Sequence, residues 1–121
     1  MFIKIDFANA TTIYEQVVQQ MKFAIAAGSI QTNEMIPSVR ELAKQLTLNP
    51  NTIARAYRTL QDEGIVFSRR GTGLVVAEDS QHRCKTERRN WFETRFRKLY
   101  DEAVQSRLEP EEIKEIFKLP E

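Results

Sequence analysis

The sequence predicts a mostly α-helical fold with one small β-hairpin, and three observations predict it. Apolar residues recur at spacings of three and four in three successive stretches between residues 13 and 60. The pattern then switches to two short β-prone runs around SRRGTG, residues 68–73, a hairpin signal with glycine in the connection. A further helical stripe opens at Trp91, and a short one follows Pro110.

Each element has its own punctuation. Residues 2–7, FIKIDF, alternate apolar and polar and read as a short strand or an extended arm. Thr11 and Thr12 offer an N-cap to a first helix, whose inner face is Ile13, Val17, Met21, Ala24 and Ile25. Gly28 ends it in the left-handed stop position. After the loop SIQTNEMIP, Ser38 and Glu41 have capping-box spacing, and a second helix runs to about Leu46 on Val39, Leu42, Ala43 and Leu46. Thr47, Leu48 and Asn49 make a turn. Asn49 then caps a third helix with Pro50 at its first position; Ile53, Ala56, Tyr57 and Leu60 face inward, and Gly64 closes it. The polar stretch 78–90 reads as a surface link, helical only toward its end, and it carries His82 and Cys84.

Two short helices joined by a three-residue turn, then a hairpin, is the order of a winged helix-turn-helix. The expected architecture is therefore a winged helix-turn-helix over residues 1–77 and a two-helix dimerisation tail over 78–121. With its inner face assigned, the third helix turns Asn51, Thr52, Arg55, Arg58 and Thr59 outward. These residue types hydrogen-bond base edges and phosphates. Arg69 and Arg70 at the hairpin tip would supply charge to the backbone or the minor groove, with Gly71 allowing the tight turn. Arg40, early in the second helix, is placed to reach a phosphate.

Composition narrows the function classes. The 121 residues carry a net charge of +1, which argues against a nonspecific polycation. The charge is uneven: residues 40–75 carry +3 and residues 86–121 carry −1. No apolar run reaches the roughly 18 residues of a membrane span, and the N-terminus lacks the pattern of a signal peptide. One cysteine allows no internal disulfide and fits a reducing cytosol. One histidine and one cysteine do not make a mononuclear metal site, and no cofactor is expected. No nucleophile–base pair or phosphate loop suggests an enzyme.

At this point IPSVRELAKQL (36–46), NPNTIARAYRTLQDEGIV (49–66) and RRGTGLVV (69–76) closely resemble the DNA-binding domain of GntR-family bacterial transcription regulators. IYEQVVQQMKFAIAAGSI (13–30) resembles that family's first helix, and the short tail is similar to the YtrA subfamily. The resemblance implies a homodimeric, repressor-like protein on a palindromic operator, often of its own operon. Carried over by position, it implies DNA contacts at Arg40, Asn51, Thr52, Arg55, Arg69 and Gly71. Thr12 stands where the family usually has proline, Ala54 where some subfamilies have arginine, and Thr32-Asn33 where Pro-Gly is usual; Asn33 is expected to take the left-handed turn.

The tail is too short to wall off a ligand cavity of its own. Its stripe of Trp91, Phe92, Phe96, Leu99, Tyr100 and Ala103 would leave an apolar patch in water. Burial against a second copy, with Ile113, Ile116 and Phe117 packed over it, removes that patch, so a homodimer is expected. Two rival readings are a ligand-sensing regulator with a small pocket at the domain junction and a winged-helix protein–protein module.

Overall fold

The computed structural model describes residues 3–120. The elements run α1 (Ile13–Ala27), α2 (Val39–Leu46), α3 (Pro50–Asp62), β1 (Val66–Arg69), β2 (Gly73–Val76), α4 (Ser80–Gln105) and α5 (Pro110–Ile116). Two compact units divide the chain, Met1–Arg88 and Arg89–Glu121, and α4 runs through the division.

In the first unit, α3 packs on α1 and on α2. Val17, Met21 and Ile25 of α1, Leu42 of α2, and Ile53 and Leu60 of α3 form one buried cluster with Ile36, Ile65 and Val66. The helix ends are built as their sequences dictate. Thr12 caps α1, and Gly28 ends it at φ 81°, with the Ser29 N–H donating to Ala24 O. Both bonds of the Ser38/Glu41 capping box form. Asn49 caps α3 by accepting from the Asn51 N–H at 2.8 Å.

Phe2 lies outside the described residues; residues 3–6 form an extended arm, not a strand. Two glutamine side chains of α1 hold it. Gln16 Oε1 accepts from the Asp6 N–H at 2.9 Å while its Nε2 donates to Asp6 O at 3.0 Å. Gln20, one turn on, makes the same pair of bonds with Lys4. A side-chain amide offers the same donor and acceptor as a peptide group, so these glutamines replace the missing ladder partner. Ile3 anchors the arm in the core.

β1 and β2 pair antiparallel, with Arg69 opposite Gly73 and Val66 opposite Val76. The loop ahead of α2 also joins the hairpin, which its composition did not suggest. Met35 bridges Val75, the Ile36 N–H donates to Leu74 O, and the Val76 N–H donates to Glu34 O. Asn33 takes the left-handed conformation at φ 66°, as its side chain permits.

The stretch 78–90 is not a surface link. α4 begins at Ser80, and its first turns belong to the first unit. Cys84 is fully buried in the core cluster, while His82 is exposed. Ser80 Oγ donates to Ile65 O at 2.6 Å, and Arg83 Nη2 donates to Glu63 O at 2.6 Å. Lys22 of α1 pairs with Glu63 at 2.7 Å and with Glu87 of α4 at 2.9 Å. The buried stripe of these turns is only as wide as Ser80 and Cys84, two small residues four apart, so hydropathy patterning does not register it. The compact unit therefore ends later than residue 77.

Burial opposes the charge of Lys22, but its hydrogen bonds to Glu63 and Glu87 and their negative charge outweigh it and raise its pKa above the ordinary 10.5. The stabilisation is fully present below that ordinary value and is lost only as pH rises through the folded-state value, so the staple holds at neutral pH.

In the second unit, Ile113 of α5 is buried, and Trp91 and Ala103 are half-buried. Phe92, Phe96, Leu99, Tyr100, Ile116 and Phe117 remain exposed; Phe96 keeps 56% and Ile116 70% of their surface in solvent.

Burial, with the nearby Glu87 carboxylate, pushes the Cys84 thiol up to about 11. Iodoacetamide at pH 8 should therefore leave the native protein unlabelled over a period that fully labels the urea-unfolded chain. Equal labelling rates in mass spectrometry would contradict the burial of this residue.

Candidate nucleic-acid interface

The inward residues of α3, Ile53, Ala56, Tyr57 and Leu60, are all buried. Helical geometry then sends the remaining side chains outward. Asn51, Arg55 and Arg58 are exposed; Thr52 and Thr59 are half-buried. Thr59 Oγ1 donates back to Arg55 O at 3.3 Å, which spends its donor within the helix.

Two constraints set the angle between α2 and α3. Thr47 adopts a left-handed conformation at φ 54°, a position that usually suits glycine or asparagine. Its neighbour's N–H, on Leu48, donates to Ala43 O at 2.9 Å. Tyr57 supplies the second: its hydroxyl donates to Pro37 O at 2.7 Å, just ahead of the Ser38 cap. Burial, reinforced by Glu41, pushes the Tyr57 hydroxyl well above its usual pKa and keeps it a donor.

Two surface grooves show where Arg40 and the wing lie. Arg40 lines an open groove with Lys44, Thr47, Leu48 and Pro50, which puts it beside the N-terminus of α3. Thr72 and Gly73 of the wing share a cleft with Ser38, Val39, Glu41 and Tyr57, which puts the wing beside the start of α2. Arg69 Nη2 donates to Asn33 Oδ1 at 3.2 Å, and its guanidinium lies 5.6 Å from the Phe67 ring centroid. Arg70 is exposed at the tip. Gly71 has φ 77°, and a Cβ there would meet nothing within 4 Å, so the turn needs glycine for its backbone and not for space. Arg40, Arg58 and Arg70 have no ion pair among the described residues, while Arg55 lies face-on over Tyr14 of α1, 3.6 Å from the ring centroid.

Residues 13–76 match the family described as bacterial regulatory proteins, gntR family. The chain belongs to the GntR family. Across 96% of its length it is 34% identical to the HTH-type transcriptional repressor YtrA of Bacillus subtilis, 89% of which is covered. A GntR family transcriptional regulator from Listeria monocytogenes superposes with a TM-score of 0.77 at 30% identity, over 95% of this chain and all of that one. The AraR DNA-binding domain in complex with its operator ORE1 is similar over 61% of this chain and 90% of that one, at a TM-score of 0.53 and 28% identity.

The protein is thus a GntR-family transcription regulator with a DNA-binding winged helix-turn-helix, and not an enzyme. Among the described residues no cluster of three or more His, Cys, Asp or Glu could hold a metal, and no helix is long and apolar enough to cross a membrane.

Sequence reasoning did not single out Lys44 or Tyr14, and it gave Asn33 a turn but no partner. Lys44 was legible, being one turn from Arg40 on the same face of α2. The other two contacts join residues 36 and 41 apart in the chain, and no local pattern encodes them.

Tyr57→Phe removes the donor that ties α3 to Pro37 and strands a carbonyl. It should cost about 1 kcal/mol, read as a lower urea midpoint at unchanged slope. An unaltered midpoint would show that the hydroxyl does not brace the two helices.

Proposed function

We propose that the protein is a homodimeric repressor that binds a palindromic operator, in the manner of the YtrA subfamily, and acts in the cytoplasm where the chromosome lies. The observation that carries this reading is the exposed set Asn51, Arg55 and Arg58 on the outer face of α3, with Arg40 beside that helix's N-terminus and Arg69 and Arg70 exposed on the wing. The names of its relatives support it: YtrA is a repressor, and AraR binds an operator.

In this reading residues 1–77 read DNA. Asn51, Thr52 and Arg55 meet base edges in the major groove. Arg40, Arg58 and the wing residues Arg69, Arg70 and Gly71 meet the backbone and the adjacent minor groove. Phosphate neutralisation supplies most of the affinity, and a few base contacts supply the preference. If the dimer neutralises about eight phosphates, log K falls with log salt at a slope near −7.

The second unit, from Arg89 onward, forms the dimer. Phe96, Leu99, Tyr100 and Ala103 of α4, with Leu108, Ile113, Ile116, Phe117 and Leu119, line an apolar groove of about 350 Å³ within the second unit. With Trp91 and Phe92, these residues make the surface that a second copy covers. An interface of standard size buries about 800 Å² on each partner. The two recognition helices then enter successive major grooves, about 34 Å apart. Control of the regulator's own operon follows from the same subfamily likeness.

Arg55→Ala should cost about 1–3 kcal/mol per half-site and relax the preference at one base pair. Arg69→Ala should weaken all sequences evenly and make the salt slope shallower. Gel-shift titration over a salt series reads both, and wild-type affinity in both variants would overturn the DNA-binding assignment. Phe96→Asp should give monomers in sedimentation velocity; a dimer that survives it would exclude the tail as the interface.

A further inference from the structure

We infer that Tyr14 is a positioning residue for DNA recognition: its ring holds the Arg55 guanidinium flat and so fixes the direction in which Arg55 offers its donors to a base. The inference rests on the reading above that Arg55 contacts a base pair.

The Arg55 Cζ sits 3.6 Å from the centroid of the Tyr14 ring, a close face-on stack. The looser stack in the wing, Arg69 with Phe67, has a separation of 5.6 Å. Stacking uses the face of the guanidinium and leaves the N–H donors at its edge available, and those are the atoms that a bidentate base contact needs. No carboxylate pairs with Arg55 among the described residues, so neither its charge nor its donors are spent on an ion pair. An arginine held in this way loses less side-chain freedom on binding than one that waves in solvent.

The platform itself is stiff. Tyr14 is half-buried against the core cluster in the first turn of α1. Thr12 caps that turn, and Gln16 fastens it to the arm by accepting from the Asp6 N–H and donating to Asp6 O and Thr11 O. α1 is thus more than a scaffold behind the helix-turn-helix; its first turn sets the aim of a side chain on α3.

The test uses the full chain and a duplex selected from a random pool by the wild-type protein. Four variants are compared: Tyr14→Phe, Tyr14→Leu, Arg55→Ala and the Tyr14→Leu/Arg55→Ala double. Thermal melts confirm that each is folded. The expected result is that Tyr14→Leu weakens binding about tenfold per half-site and relaxes preference at the same base pair as Arg55→Ala. Tyr14→Phe, which keeps the ring, should stay within about twofold of wild type, and the double variant should bind no more weakly than Arg55→Ala alone. A merely structural role for Tyr14 would not single out one base pair or vanish in the Arg55→Ala background.

Wild-type affinity and selectivity in Tyr14→Leu, or full additivity in the double variant, overturns the inference while leaving Arg55 as a base contact. Loss in Tyr14→Phe also overturns it, since the hydroxyl and not the ring would then carry the effect. Wild-type behaviour of Arg55→Ala overturns both this inference and the base contact on which it rests.

Discussion

Burial of Ile53, Ala56, Tyr57 and Leu60 against α1 and α2 is the interaction on which the rest of the molecule depends. A unit this small has little interior, so α3 must contribute one whole face to it. That leaves the opposite face largely to solvent, apart from the stack of Arg55 on Tyr14. Asn51, Arg55 and Arg58 occupy it, polar side chains that solvent accommodates and that also suit a duplex. Core formation and the display of this polar face are therefore one event.

Around that helix, connections that are weak singly restrict its orientation together. The Tyr57 hydroxyl reaches Pro37, and the left-handed Thr47 sets the turn. The segment 33–36 adds to the hairpin and carries the wing to the start of α2. On the far side, Lys22, Glu63 and Glu87 tie α1, the end of α3 and the first turns of α4 into one network, with Ser80 and Cys84 buried beneath it. The end of α3 and the root of α4 are thereby held in one compact unit.

The second unit has the opposite character. Its apolar stripe on α4 and α5 is largely unburied within one chain, with Leu99 keeping 59% and Ile116 70% of their surface in solvent. A patch of this kind is costly in water, and its cost vanishes when a like surface covers it. The first unit has a closed core, while the second has the composition of half a core.

Helices α1, α2 and α3 were legible from residue 12 onward because their signals are local. Thr12, Gly28, Ser38 with Glu41, and Asn49-Pro50 mark their own ends, and the apolar spacing identifies inner and outer faces. The outward set on α3 follows from the same periodicity, and the charged hairpin tip from the switch to two β-prone runs around glycine. Tertiary structure alone decided the features that join distant residues: the stack of Arg55 on Tyr14, the bond from Arg69 to Asn33, the glutamine ladder under the arm, and the start of α4 at Ser80. The physical reason is one of range. Caps and helical faces are settled within a turn or two of chain, whereas these contacts exist only once packing has brought together segments that the sequence keeps apart.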